Sequence, residues 1–97
     1  MEVRIQGIHV DVSEKLVAFV NKKVERLARR NVTITYVDVN LTLLKPETAM
    51  NKQAVLKVIV PHQGEQVATK VADTFEEAVD LAIDAIERQL EKLATKK

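Results

Sequence analysis

Apolar and polar residues alternate along four short stretches of the chain, and this period of two is typical of β-strands. The alternation in the second stretch changes phase near Tyr36–Val37, which predicts a bulge or the end of a loop there. Pro and Gly in the segment 61–64 predict a turn between the last two strands. The predicted strands are Glu2–Ile8, Ile34–Leu44, Gln53–Val60 and a shorter Glu65–Ala72.

Two further segments carry apolar residues at the spacing of an α-helix. Ser13 is a good N-cap for the first helix, which is predicted to run to about Arg29 with Leu16, Val20, Val24 and Leu27 as its apolar stripe. The second helix opens on the capping box Thr74-Phe75-Glu76-Glu77. Its apolar register holds over five turns at Phe75, Val79, Ala82, Ile86, Leu90 and Leu93.

The element order is therefore βαβββα, and the fold class is α+β. A right-handed crossover makes the first two strands parallel, and short turns make the later strands an antiparallel meander. Each helix has one apolar stripe, so both helices should pack on one face of a four-stranded mixed sheet. The other face should stay partly open to water. The expected architecture resembles a double-stranded-RNA-binding domain.

The 97 residues predict a single domain, 1–97, and the composition offers little for catalysis. There is no cysteine, and the two glycines cannot form a phosphate-binding glycine-rich loop. His9 and His62 lack metal-ligand spacing and are expected to be surface residues. The prediction is a protein that is not an enzyme and needs no metal, cofactor or small-molecule substrate. No segment reads as a signal peptide or membrane span, which favours the cytoplasm.

Charge is distributed unevenly although the net charge is only +1. Six basic residues and one acid lie between Lys15 and Arg30, whereas seven acids and one base lie between Asp73 and Glu91. At 100° per residue, Lys15, Lys22, Arg26 and Arg29 fall within an arc of roughly 60° on the first helix. Lys23 and Arg30 extend this arc. Arg88, Lys92 and Lys96 are spaced i, i+4, i+8 near the end of the second helix.

These stripes have two interpretations, a solvated helix face or a surface that binds a polyanion. Cations near a helix C-terminus also complement the helix dipole, and Asp84 can pair with Arg88. The chain has one Tyr, two Phe and no Trp, and the strand faces lack the aromatics that stack splayed bases. If the partner is RNA, the pattern favours recognition of its backbone by helical Lys and Arg.

Four segments resemble the ribosome hibernation promoting factor family, also called protein Y or ribosome-associated inhibitor A. Ile5-Gln6-Gly7 with 10–16 resembles the family's opening, and 20–27 resembles its first-helix pattern. Asp73-Thr74-Phe75-Glu76-Glu77 resembles the start of the family's second helix, and Arg88-Gln89-Leu90 lies in a segment similar to its end. The resemblance covers essentially the whole chain in the same element order.

The resemblance implies a translation inhibitor that binds small-subunit rRNA where mRNA and tRNA bind, in stationary phase or stress, and that is monomeric off the ribosome. The family's basic positions match Lys22, Lys23, Arg26, Arg88 and Lys92, and geometry adds Arg29, Arg30 and Lys96. Two departures are Phe75, where many members have Tyr, and Glu91 before Lys92. Because the sequence ends at Lys97, without a dimerisation domain or acidic tail, it is expected to match the family's short form.

Two other functions stay open at this point. The acidic outer face expected for the second helix favours a protein-interaction module, such as one that modulates a sigma factor. The basic stripes alone are equally compatible with a generic binder of structured RNA. Sedimentation with ribosomes or with soluble proteins would separate the first alternative from ribosome binding.

Overall fold

The computed structural model describes residues 2–30, 34–45 and 49–95, which form one sheet covered by two helices. The predicted βαβββα order is confirmed. Half of the strand boundaries match the predicted ones, and the others differ by one or two residues. The second strand begins at the phase change near Tyr36, and the fourth strand, predicted to be shorter, is as long as the third. The elements are β1 Glu2–Ile8, α1 Glu14–Arg30, β2 Tyr36–Leu43, β3 Lys52–Val60, β4 Gly64–Ala72 and α2 Phe75–Thr95.

The four strands lie in the spatial order β1-β2-β3-β4. Strands β1 and β2 are parallel, with Val3 opposite Val37 and Ile5 opposite Val39. The β2–β3 and β3–β4 pairs are antiparallel. This is the mixed sheet that the crossover and the meander predicted, and α1 is the connection between its two parallel strands.

Both helices begin at the predicted caps. The Ser13 hydroxyl accepts a hydrogen bond from the Leu16 amide at 3.1 Å. The Thr74 hydroxyl accepts one from the Glu77 amide, also at 3.1 Å. Each hydroxyl satisfies an amide that has no partner within its own helix. Fixed starts matter here because they set which side chains of α1 and α2 face each other.

The core lies between the helices and one sheet face, as predicted. Both helical stripes contribute to it, together with Val37, Val39 and Leu41 of β2 and alternate residues of β3. Phe75, predicted to be buried, is only half-buried because it is the first residue of α2 and packs at the edge of the core. The helix residues predicted to be buried and found so are Leu16, Val20, Val24, Leu27, Val79, Ile86 and Leu90.

Gly7 allows the chain to leave β1 and turn onto the helix side. A Cβ at this position would clash with the Val10 carbonyl oxygen and would lie 2.8 Å from Val12 Cγ2. Any side chain would therefore push the connection away from the sheet. The absence of a side chain at Gly7 thus fixes where α1 begins.

The opposite sheet face carries mixed side chains and is partly exposed, as expected. Ile59 and Val67 are exposed on it, and Arg4, Asp38 and Lys57 lie next to one another in register across three strands. Among the described residues, neither helix is long and apolar enough to cross a membrane.

Candidate nucleic-acid interface

The outer face of α1 carries an exposed row of cations. Lys22, Arg26 and Arg29 project from it, on the side of the helix away from its buried stripe. Lys22 and Arg26 have no acidic partner among the described residues, whereas Arg29 lies 3.9 Å from Glu25. Both side chains of that pair are largely exposed, Arg29 at 79% and Glu25 at 64%, so water strongly screens their attraction. The row therefore presents positive charge that the protein itself scarcely neutralises.

The groove between α1 and α2 has the opposite character, because its cations are paired. Lys23 Nζ lies 2.9 Å from Asp80 Oδ1, and Arg30 Nη1 lies 2.8 Å from Glu87 Oε2. Both partners advance by seven residues between the two pairs, which shows that the helices run side by side in the same direction. The two ion pairs are about 10 Å apart along the axes, at 1.5 Å per residue.

This pairing corrects the expected position of two acids of α2, whose acids were all assigned to its outer face. Asp80 and Glu87 point instead toward α1, and the Glu87 side chain is only 21% exposed. The groove has a volume of about 400 Å³ and is lined by Lys23, Arg26, Arg30, Asp80, Ile83, Asp84 and Glu87. With both signs of charge facing it, the groove is a poor site for a polyanion.

The cations of α2 lie farther around their helix than the acids that face α1. Arg88 and Lys92 follow Glu87 by about 100° and 140° around the helix axis, which turns them from the groove toward the outer surface of the helix. Arg88 also pairs with Asp84 at 3.1 Å, the i,i+4 contact expected from the sequence. Five predicted cations line the groove or the neighbouring pocket on α1, and these are Lys22, Lys23, Arg26, Arg29 and Arg30. Arg88 and Lys92 line neither, and Lys96 lies outside the described residues.

Phe19 is a residue of this surface that the sequence reasoning missed. It is half-buried at the edge of the core and lies within the basic row, with Lys23 Nζ 5.4 Å from its ring centroid. Phe19 is three residues before Lys22 and seven before Arg26, so helical spacing already placed it on their face. Helical spacing alone does not separate an aromatic residue at the edge of the core from one that belongs to the basic surface.

The histidines lie in exposed turns away from this surface. His9 follows β1 and His62 lies in the β3–β4 turn, both with positive φ. No group of three His, Asp or Glu side chains within the described ranges is placed to hold a metal ion. The surface of α1 therefore offers charge and one aromatic ring rather than the convergent groups of a catalytic site.

Two solved structures show the class of fold to which this arrangement belongs. A ribosomal subunit interface protein from Coxiella burnetii superposes with a TM-score of 0.86 at 24% identity, over 99% of this chain and all of that one. The N-terminal domain of Thermus thermophilus Protein Y gives a TM-score of 0.79 at 22% identity, over 96% and 99%. At these identities the likeness shows a shared fold.

The sequence comparisons identify the family. Residues 3–97 match the family described as Sigma 54 modulation protein / S30EA ribosomal protein. The Ribosome hibernation promoting factor of Azotobacter vinelandii is 34% identical over 92 residues, which is 95% of this chain and 81% of that protein. The chain belongs to this family of ribosome-associated proteins, and the resemblance inferred from its sequence is confirmed.

Proposed function

We propose that residues 1–97 form one domain that inhibits translation by binding the small ribosomal subunit. The domain binds small-subunit rRNA in the channel of mRNA and tRNA and acts in the cytoplasm during stationary phase or stress. The observation that carries this proposal is the outer face of α1, where Lys22 and Arg26 stand without an acidic partner among the described residues. The names of the related proteins, which refer to hibernation and to the subunit interface, support the choice of ribosome.

The unpaired cations are informative because they lower stability. Lys22 and Arg26 are an i,i+4 like-charge pair, which destabilises a helix by a few tenths of a kcal/mol. A rRNA phosphate between them would supply the missing counter-charge. Two other cations of α1 are paired with acids of α2, Lys23 with Asp80 and Arg30 with Glu87. The outer face of α1 is therefore the surface best suited to phosphate.

The position of α1 favours binding without rearrangement. Its stripe of Leu16, Val20, Val24 and Leu27 is buried, and two ion pairs fix it laterally to α2. A helix held in place loses little backbone freedom on binding, so the ordering of the Lys22 and Arg26 side chains is the main entropic cost of contacting phosphate. Inhibition then requires no catalysis and no cofactor, because a protein in the channel excludes mRNA and tRNA by its volume.

Sedimentation and salt dependence test this proposal together. In sucrose gradients, the protein should migrate with small subunits and whole ribosomes, and it should inhibit cell-free translation at stoichiometric amounts. Its affinity should fall steeply with salt, since neutralising phosphates releases counterions. Migration with soluble proteins in the gradient, or an affinity that stays flat from low to moderate salt, would contradict the proposal.

The two alternatives predict different partners. A sigma-factor module would use the acids of α2. Asp80, Asp84 and Glu87 already form ion pairs within the protein, so such a partner would depend on the exposed Glu76 and Glu77 of the first turn. A generic RNA binder would be displaced from ribosomes by an excess of unrelated double-stranded RNA, whereas a channel-specific protein would not. Competition by such RNA therefore separates the proposed function from the second alternative.

A further inference from the structure

Phe19 lies in a pocket that adjoins the groove between the helices and shares Lys23 and Arg26 with it. The pocket has a volume of about 330 Å³ and is lined by Phe19, Lys22, Lys23, Arg26 and Arg29. Four cations surround one aromatic ring, and no acid is among the lining residues. The groove, by contrast, has three acids in its lining.

Packing against the core uses only part of the Phe19 side chain. The buried stripe of α1 is centred near Val20 and Leu27, and Phe19 lies about 100° around the helix from Val20. The ring packs only partly against the core and remains half-buried. Lys23 contacts it as a cation over an aromatic face, an arrangement that also attracts other partners of aromatic rings. A ring in this position exposes surface beside concentrated positive charge.

The chemistry of the pocket matches a nucleotide. Its cations favour a phosphate, and its ring favours a flat aromatic group, which in RNA is the base. A paired base inside an RNA helix shows its edges but not its face, so only an unpaired base can stack on Phe19. The groove would repel a phosphate because carboxylates line it. The described lining of the Phe19 pocket has no acid, so this repulsion is missing there.

We propose that this pocket takes one unpaired nucleotide of the RNA partner, its base stacked on Phe19 and its phosphate beside Lys22, Arg26 and Arg29. The inference rests on the proposed function and deepens it, since it adds a contact with a base to recognition of the backbone. It also assigns the two features of the pocket, ring and cations, to two parts of one ligand.

The first test compares adenosine 5′-monophosphate with ribose 5-phosphate, which carries the same phosphate without the base. The chain has only two phenylalanines, so Phe19 and Phe75 ring protons are resolved readily by NMR, and Phe75 serves as an internal control. Adenosine 5′-monophosphate should shift the Phe19 ring protons upfield and leave those of Phe75 unchanged. Ribose 5-phosphate should perturb the lysines and arginines alone. Equal effects of both ligands on Phe19, or none, would refute stacking.

The second test measures affinity for purified small subunits. Phe19→Leu keeps an apolar side chain at the core edge but removes the stacking surface, so affinity should fall about 5- to 100-fold. Phe19→Trp should restore it, and both variants should keep the circular dichroism spectrum of the parent. If the parent binds and Phe19→Leu binds equally well, the nucleotide pocket is wrong while the proposed function stands. If the parent itself does not bind small subunits, the proposed function is wrong, and the nucleotide titration still decides the pocket.

Discussion

Lysine and arginine lie on both sides of α1, but on one side they are largely unpaired within the described residues and on the other they form ion pairs with carboxylates. On the outer face, Lys22 and Arg26 form no ion pair with the described residues, although Arg26 also borders the groove that α2 lines with acids. On the side toward α2, Lys23 and Arg30 are held at 2.9 Å and 2.8 Å by carboxylates. Lys22 and Lys23 are consecutive in the chain, yet Lys22 is available to a partner and Lys23 is already paired.

The difference shows that a stripe of basic residues is not one surface. The stripe inferred from the first helix is divided by the neighbouring helix, which contributes acids along one of its edges. Pairing lowers the positive potential at the groove and concentrates it on the outer face and the Phe19 pocket. The same ion pairs align the two helices. The acids of α2 therefore weaken the groove as a binding site for anions, and they also hold the outer face of α1 in place.

The strongest way to break this comparison is to neutralise the outer face. Lys22→Gln combined with Arg26→Gln should lower affinity for the small subunit at least about 100-fold, because charged hydrogen bonds contribute about 1.5–3 kcal/mol each. Folding should be unaffected, since both side chains point away from the core. Binding is measured by filtration or fluorescence and folding by circular dichroism.

The matched control removes two charges from the sheet, as Lys57→Gln with Lys70→Gln. Lys57 lies on the open sheet face and Lys70 on β4, away from α1. This variant has the same net charge as the helix variant and should bind almost as tightly as the parent. Equal losses from the two variants would show that net charge, rather than the outer face of α1, determines binding.

The next effect concerns the core beneath both regions. Ile86 is fully buried on α2. It lies between Ile83 and Glu87 in the sequence, and both of these residues line the groove. Replacing it with Ala should lower the free energy of unfolding by about 2–5 kcal/mol, through lost burial and the cavity that remains. Urea unfolding measures this change. A variant as stable as the parent would show that α2 does not pack on the sheet as described.

The fold could be predicted almost entirely from the sequence, because its signals are local. Alternation gave the strands, Ser13 and Thr74 marked the helix starts, and the crossover rule gave the parallel pair. Phe75 was misjudged because burial of a first-turn residue depends on what covers the end of the helix. Periodicity describes a face of an element and carries no information about its ends.

The site could be predicted only in part, because it depends on distances between helices. Lys22 and Arg26 were assigned correctly to an exposed face, and Asp84 to Arg88, since both follow from spacing within one helix. The contact of Arg30 with Glu87 joins residues 57 positions apart and has no local signal. The role of the basic residues in binding RNA stays a prediction.

The opposite change is to remove an acid from the groove, so that a paired cation becomes unpaired like those of the outer face. Glu87→Gln removes the carboxylate that holds Arg30, so Arg30 should become available to phosphate. Affinity for the small subunit should rise severalfold, and its dependence on salt should steepen by about one counterion. The control Glu65→Gln makes the same charge change on β4, away from both helices, and should leave the salt dependence nearly unchanged. A loss of affinity in Glu87→Gln would mean that the ion pair positions Arg30 for binding rather than withholding it.

The smallest expected effect is the coupling between Lys23 and Asp80, measured by a double-mutant cycle with Lys23→Gln and Asp80→Asn. The pair is partly exposed, with side chains 28% and 50% accessible, so its contribution should be about 0.2–1 kcal/mol and should decrease as salt increases. The contact of Lys23 with Phe19 is lost in both variants that carry Lys23→Gln, so the cycle subtracts it. Urea unfolding at low and high salt provides the free energies. The same cycle for Glu25 and Arg29, an i,i+4 pair whose atoms are 3.9 Å apart on the outer face, should give a smaller coupling, at most about 0.3–0.5 kcal/mol. Equal couplings for the two pairs would remove the distinction between the groove and the outer face of α1.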